Sequence, residues 1–245
     1  MLGEGRPYWP VFFCGLKGGN MAKVISTLND AINYLNTLYE SDSQPPTSGD
    51  EDFIVWTNLF NLAISLWEKE EGVLWRELFV ELADAADGGK TTDGTNSYQL
   101  PSDFRFPASG YVWVGEGNGK PPHKVIRPQD KQLYENNTDN WCYFLADKTP
   151  TLEFNPNLNM STGETINYMY YKNASKVSGG TDTFEMSDPM FVVYYALSEL
   201  KKDEGDDSAA AIASQKLEAM KALNMMPAWY QTEAIVNKTE DGFGL

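Results

Sequence analysis

A small set of residues in this chain has the types and spacing that chemistry needs. His123 is the sole histidine and Cys14 and Cys142 are the two thiols, so one Cys–His nucleophile pair is conceivable. Cys142 lies in Trp141-Cys142-Tyr143-Phe144, the pattern of a buried strand, which favours a small core cysteine. Gly89-Lys90-Thr91 matches the end of a phosphate-binding loop. That motif needs a glycine where Asp84 stands, a strand before it and a helix after it. The sequence predicts a helix before and a loop after, and an acid in the cradle would repel phosphate. Gly115, Gly117 and Gly119 alternate, but Lys120-Pro121-Pro122 follows, where no helix starts well, so this run reads as a hairpin tip. With 35 acids in the chain, carboxylate pairs suited to glycoside hydrolysis arise by chance. Four of the seven tryptophans (Trp56, Trp67, Trp75, Trp141) fall in periodic apolar segments and read as core. Trp9, Trp113 and Trp229 are less constrained. An open platform of Trp113, Trp141 and Trp229 would favour a carbohydrate- or receptor-binding module. The acids Asp42, Asp50 and Glu51 lack calcium-loop spacing. One histidine and two cysteines leave no zinc cluster, and no cofactor is implied.

The elements that would position these residues follow from composition and period. Among 245 residues, 42% are hydrophobic and 13% aromatic, which excludes a disordered or collagen-like chain. Folding at this length buries roughly 70–75% of the extended surface, so a core forms without metals or disulfides. The net charge of −16 opposes binding to a phosphate backbone or an anionic membrane. No stretch has the roughly 20 apolar residues of a membrane span.

Residues 1–20 read unlike the rest. Pro10 interrupts an apolar run too short for a signal-peptide core, and Phe12 and Phe13 precede Cys14 where a lipoprotein site needs small residues. Lys17-Gly18-Gly19 is encodable by a purine-rich run resembling a bacterial ribosome-binding site. The expected start is therefore Met21, with 1–20 as a leader. Val24, Ile25, Leu28, Ile32, Leu35 and Leu38 mark a helix over 24–39. Ser48 and Glu51 form a capping-box pattern before a second helix, whose period runs through Phe53, Trp56, Phe60, Ile64 and Trp67 to Leu74, Leu78 and Leu82 and ends near Ala86. Gly72 marks a bend inside it. Residues 87–97 read as a linker. Short strands are expected at 111–114, 124–126, 141–145, 151–154 and 165–171. Asp188-Pro189 then starts a helix that is apolar nearly all round, the expected central helix. The acids Asp203, Glu204, Asp206 and Asp207 break it, and Ser208 caps a last helix.

The resulting expectation is an α+β fold. A helical bundle (21–88 and 185–224) has two N-terminal and two C-terminal helices, with a small antiparallel β module (89–184) inserted. An irregular N-terminal extension (1–20) and an extended C-terminal arm (225–245) flank it. Trp229, Tyr230 and Phe243 make that arm a candidate interface. The acidic stretch Asp203, Glu204, Asp206 and Asp207 is a candidate patch facing solvent or a lumen.

Several local patterns occur together: Tyr98-Gln99-Leu100-Pro101-Ser102-Asp103-Phe104, then Thr165-Ile166-Asn167-Tyr168-Met169-Tyr170-Tyr171-Lys172, then Met186-Ser187-Asp188-Pro189 opening a helix, an acidic break and an Ala-rich helix. Over roughly residues 22–224 this order resembles the head-to-tail adaptor (connector) proteins of tailed bacteriophages, in particular short-tailed-phage adaptors of the tail tubular protein A type. The resemblance implies a structural virion protein without catalytic residues. It implies a closed ring of twelve copies at the head–tail junction, assembled in the host cytoplasm. Its partners would be other copies of itself, the portal protein and the next tail or nozzle protein. Genomic DNA would be met only in transit and a membrane not at all. The competing readings from the residues are a carbohydrate- or receptor-binding module of a phage tail and a carboxylate-based cell-wall hydrolase.

Overall fold

The structure, a computed structural model, describes residues 25–40, 44–82, 90–115, 120–205 and 207–224. The Met21 start, Cys14, Trp9, Asp84, Gly89 and the arm 225–245 lie outside the described residues.

Helix α1 spans Leu28–Tyr39. Thr27 Oγ1 accepts the Asp30 amide (3.2 Å) and the Asp30 carboxylate accepts the Thr27 amide (3.3 Å), a capping box that fixes the first turn. Leu28, Ala31, Ile32 and Leu35 face the core, as their spacing requires.

Helix α2 spans Glu51–Glu68, and both of its ends differ from the sequence expectation. At the start, Asp50 precedes the helix and its carboxylate closes a turn, accepting from Thr47 N (2.7 Å) and Oγ1 (2.9 Å), in place of the expected Ser48–Glu51 box. At the end, the chain leaves the helix 18 residues before Ala86. Gly72 adopts a φ of 74°, which L side chains rarely adopt, and reverses the chain. Trp75 then stacks on Trp67 (centroids 5.1 Å apart, planes at 29°) and donates its indole N–H to the Trp67 carbonyl at 2.6 Å. The leucines at 74, 78 and 82 imitate a helical period but belong to a turn, a short 3-10 segment (Arg76–Leu78) and a strand.

That strand is β1 (Phe79–Leu82). It is followed by β2 (Lys90–Asp93), β3 (Ser97–Gln99), β4 (Phe104–Pro107), β5 (Tyr111–Val114), β6 (His123–Val125), β7 (Trp141–Leu145), β8 (Thr151–Phe154) and β9 (Thr162–Lys172). A four-residue helix, α3 (Lys131–Tyr134), lies between β6 and β7. The strands form one sheet in the order β1-β9-β5-β6-β7-β8-β3, with β2 and β4 also paired to β9. All pairings are antiparallel except β6–β7, which is parallel, so the sheet is mixed.

The expected fold class is therefore corrected. The β part is no small insertion in a helical bundle. It is a curled, mixed nine-stranded sheet forming a half-barrel, accompanied by few helices. The cause is β9. Its eleven residues are long enough for β1 and β2 to pair along one side (Tyr171 with Phe79, Ile166 with Lys90) and for β4 and β5 to pair along the other (Tyr171 with Phe106, Asn167 with Trp113). Alternation in β9 buries Ile166, Tyr168 and Tyr170 on the concave core. Phe104 stacks on Phe144 and Tyr170 in that core, around Val112, Cys142 and Leu152.

After β9 the chain runs over α2 and returns as α4 (Met190–Leu200) and α5 (Ser208–Asn224). The Asp188 carboxylate accepts the Met190 amide (3.1 Å) at the start of α4. Helix α4 packs against α1, α2 and α5 and buries Phe191, Val192, Val193, Ala196 and Leu197 in a second core with Leu35, Trp56, Phe60 and Trp67. In the connecting segment, Asn61 of α2 exchanges two hydrogen bonds with Val177, donating Nδ2 to its carbonyl (2.8 Å) and accepting its amide (2.9 Å). Gly180 lies where any Cβ would collide with the Asn29 side chain, so that loop seats directly on α1. Glu68 joins the two cores: it is buried, accepts the Ala174 amide (3.2 Å), and both its backbone carbonyl (2.9 Å) and its carboxylate (3.7 Å) face the Arg105 guanidinium from β4.

Candidate interaction surfaces

Two residues whose types could carry catalysis, Cys142 and His123, are held in the core. Cys142 is fully buried, its thiol 3.9 Å from the His123 carbonyl oxygen, and burial pushes that thiol far up. A thiolate nucleophile is disfavoured there. The His123 ring packs edge-on to Phe154 at 4.8 Å, and burial lowers its pKa below the usual 6.5. Its Nδ1 has no hydrogen-bond partner among the described residues. It borders a shallow cavity of about 180 Å³ with Lys120, Asn140, Ser161 and Glu164. Lys90 and Thr91 lie on β2, paired to Ile166 and Thr165, rather than in the loop expected there. This extended conformation cannot wrap a phosphate. The β5–β6 hairpin forms as expected, with Tyr111 opposite Lys124 and Val112 opposite His123; Gly117 and Gly119 at its tip lie outside the described residues.

An open groove of about 550 Å³ runs between β1, β2 and the segment after β3, lined by Leu82, Lys90, Gln99, Asp103, Tyr170 and Lys172 among others. Three of its polar side chains are matched within the fold. The Tyr170 hydroxyl donates to Asp103 (3.2 Å), and Lys172 pairs with Glu185. Among the described residues Asp103 is the sole carboxylate lining it, so they do not assemble the paired acids of a glycosidase there. Among the described residues no cluster of three or more His, Cys, Asp or Glu could hold a metal ion, and no helix is long and apolar enough to cross a membrane.

The tryptophan platform does not assemble from Trp113 and Trp141. Trp141 is buried with Ile126 and Tyr143, whereas Trp113 is exposed on β5 beside Tyr111 (6.3 Å); Trp229 lies outside the described residues. Tyr230, Phe243 and Asp206 also lie outside them. Asp203 and Glu204 project from a 3-10 turn (Lys202–Glu204) that Gly205 ends at φ 71°, and Asp207 precedes α5; all three are solvent-exposed.

The apolar surface that sequence reasoning missed is on α2. Ile54, Val55, Leu62 and Leu66 are all exposed on the side of the helix opposite Phe53, Trp56, Phe60, Ile64 and Trp67. The signal was present in the sequence, because α2 is apolar on more positions than one buried stripe needs.

The model of the SU10 adaptor protein family matches residues 24–237, which takes in both cores and every described strand. No curated protein matches the chain. The match extends over far more than half of the sequence, and the chain belongs to the SU10 adaptor protein family, a family of bacteriophage head–tail adaptors.

Proposed function

We propose that this protein is a structural component of the virion that closes into a ring at the head–tail junction, joins the capsid portal to the tail, and lets DNA pass through its lumen. The observation that carries this reading is the family match across residues 24–237. The finer elements come from the resemblance to short-tailed-phage adaptors of the tail tubular protein A type: twelve copies, a portal above and a tail or nozzle protein below.

Physical chemistry supports the role. A ring is built from two different faces of one chain that meet head to tail and close by rotation. Each copy brings a net charge of −16, which must stay on solvent- or lumen-facing surfaces, because unpaired buried ions cost several kcal/mol each. The acids Asp203, Glu204 and Asp207 are solvent-exposed in the single chain. An acidic lumen would not retain DNA, since phosphate binding gains its energy from basic residues that release counterions. The arm 225–245 follows α5 and carries Trp229, Tyr230 and Phe243 as anchors for the portal.

The test is a portal-binding assay with the full chain and with a variant lacking residues 225–245. The expected result is that the truncated chain keeps its circular dichroism spectrum and thermal transition but no longer co-sediments with portal rings. Unchanged co-sedimentation would remove the arm from the contact, and no portal binding by the full chain would remove the adaptor reading.

A further inference from the structure

Resting on the ring reading above, we propose that the outward face of α2 is one half of the contact between successive copies, and that its occupant is the outer face and acidic start of the next copy's α5. The α2 face is built, not incidental. Ile54, Leu62 and Leu66 are 55%, 46% and 45% exposed and, with Asn58 between them, stand four residues apart in one row. The row is about 18 Å long. It exposes apolar area on the order of 300 Å², the size at which a patch on a monomer is commonly functional. Helices α1 and α4 pack against α2 on its other side.

Charge selects the occupant. At the C-terminal end of the row, Lys69 and Lys176 are exposed and make no salt bridge among the described residues; Lys176 is held over the helix by the Asn61 carbonyl (3.1 Å) and the Ser65 hydroxyl. The N-terminal end carries Asp50, Glu51 and Asp52. A partner must therefore present a weakly charged helix face with acids at one end only. The same chain has one. Asp203, Glu204 and Asp207 are exposed at the start of α5, without salt bridges among the described residues, and Lys216 and Lys221 in its second half are paired with Asp188 and Glu70 of their own copy. Along the helix the exposed side of α5 is small or uncharged at Ala211, Ser214, Gln215, Ala219 and Ala222, with Glu218 already paired to Lys221. Laid antiparallel, α5 of the next copy sets its acids against Lys69 and Lys176 and lets the aliphatic row of α2 rest on its small side chains, a ridge against a groove. The two faces differ, so the contact is heterologous and propagates around a ring rather than closing a dimer. A stable interface takes about 800 Å² per partner, so the row is its apolar centre and the charged flanks its rim.

The experiment is native mass spectrometry of the full chain over a concentration series, with circular dichroism confirming that each variant is folded. Leu62→Glu lies on the surface and should leave the fold intact while weakening assembly more than about a hundredfold, because it places an unpaired charge in the contact. Lys69→Glu with Lys176→Glu should weaken assembly about tenfold, as should Asp203→Lys with Glu204→Lys and Asp207→Lys. Combining the two sets should restore assembly, which a local structural defect could not do. If Lys176→Glu disturbs the fold, Lys69→Glu alone carries the same comparison. Assembly of the wild type that Leu62→Glu and the charge reversals leave unchanged overturns this interface and leaves the ring reading standing. Where the free wild type stays monomeric, the same series is run with portal rings as template, and a wild-type chain that assembles neither alone nor on portal rings overturns both.

Discussion

Replacing Trp75 with alanine should destabilise the protein by about 4 kcal/mol, within the range for removing a buried tryptophan. Trp75 is 2% exposed and covers Trp67 at the point where Gly72 turns the chain out of α2. A tryptophan buries about 200 Å², worth about 5 kcal/mol at 25 cal/mol per Å². Its indole N–H bond to the Trp67 carbonyl adds about 1 kcal/mol. Partial collapse around the site returns some of this sum. Urea unfolding followed by far-UV circular dichroism measures the change directly, and the melting temperature should drop by roughly 8–16 °C for a domain of this size. Trp75→Phe keeps the ring stack and loses the hydrogen bond, so it should cost about 1.5 kcal/mol. The reasoning fails if Trp75→Ala costs less than about 1 kcal/mol, or if the phenylalanine variant is as unstable as the alanine variant.

Other parts of the structure make separate predictions. Glu68→Ala removes the acceptor shared by Ala174 and Arg105 where the two cores meet, and should cost about 2–3 kcal/mol in the same unfolding assay. Gly72→Ala meets no neighbouring atoms but forces a Cβ into the left-handed region, and should cost about 1–2 kcal/mol, with Gly72→Asn costing less. Stability should depend on pH in two windows. The hydrogen bonds from Gly179 and Ser178 hold the Asp182 carboxyl below its ordinary 3.8, so its contribution is complete above that value and is lost as pH falls through the lower folded value; Asp182→Asn should flatten that limb. Burial holds His123 below 6.5, so the unfolded chain binds the extra proton first and stability falls as pH drops below 6.5; His123→Phe should remove that slope. Cys142 should resist alkylation in the folded protein and react on unfolding, as read by peptide mass spectrometry.

The sequence was most informative where period and chemistry agreed. The buried face of α1, the Asp188-Pro189 start of α4 and the strands around Trp141–Leu145 and Thr151–Phe154 are all recoverable from residue spacing. It misled where one pattern served two structures. Leu74, Leu78 and Leu82 fit a helix by spacing, yet Gly72 and the Trp67–Trp75 stack turn the chain into β1. Strands β2 and β3 are three or four residues long and largely exposed, so Lys90-Thr91-Thr92-Asp93 and Ser97-Tyr98-Gln99 have no hydrophobic alternation to show. Their pairing is decided by β9 and β8, which are distant in the chain, and no local window contains that information. The size of the sheet was underestimated for this reason. The site was less legible than the fold. Asp203, Glu204 and Asp207 are exposed, and the aliphatic row on α2 is hidden in the sequence because the helix is already explained by its buried face.

The central claim, a ring at the junction of head and tail, is tested most directly by electron cryomicroscopy of intact particles with this chain traced in the density. The account predicts copies of the chain in a closed ring between portal and tail, with DNA on the ring axis. Finding the chain at the tail tip, or as isolated copies away from the portal, would contradict it.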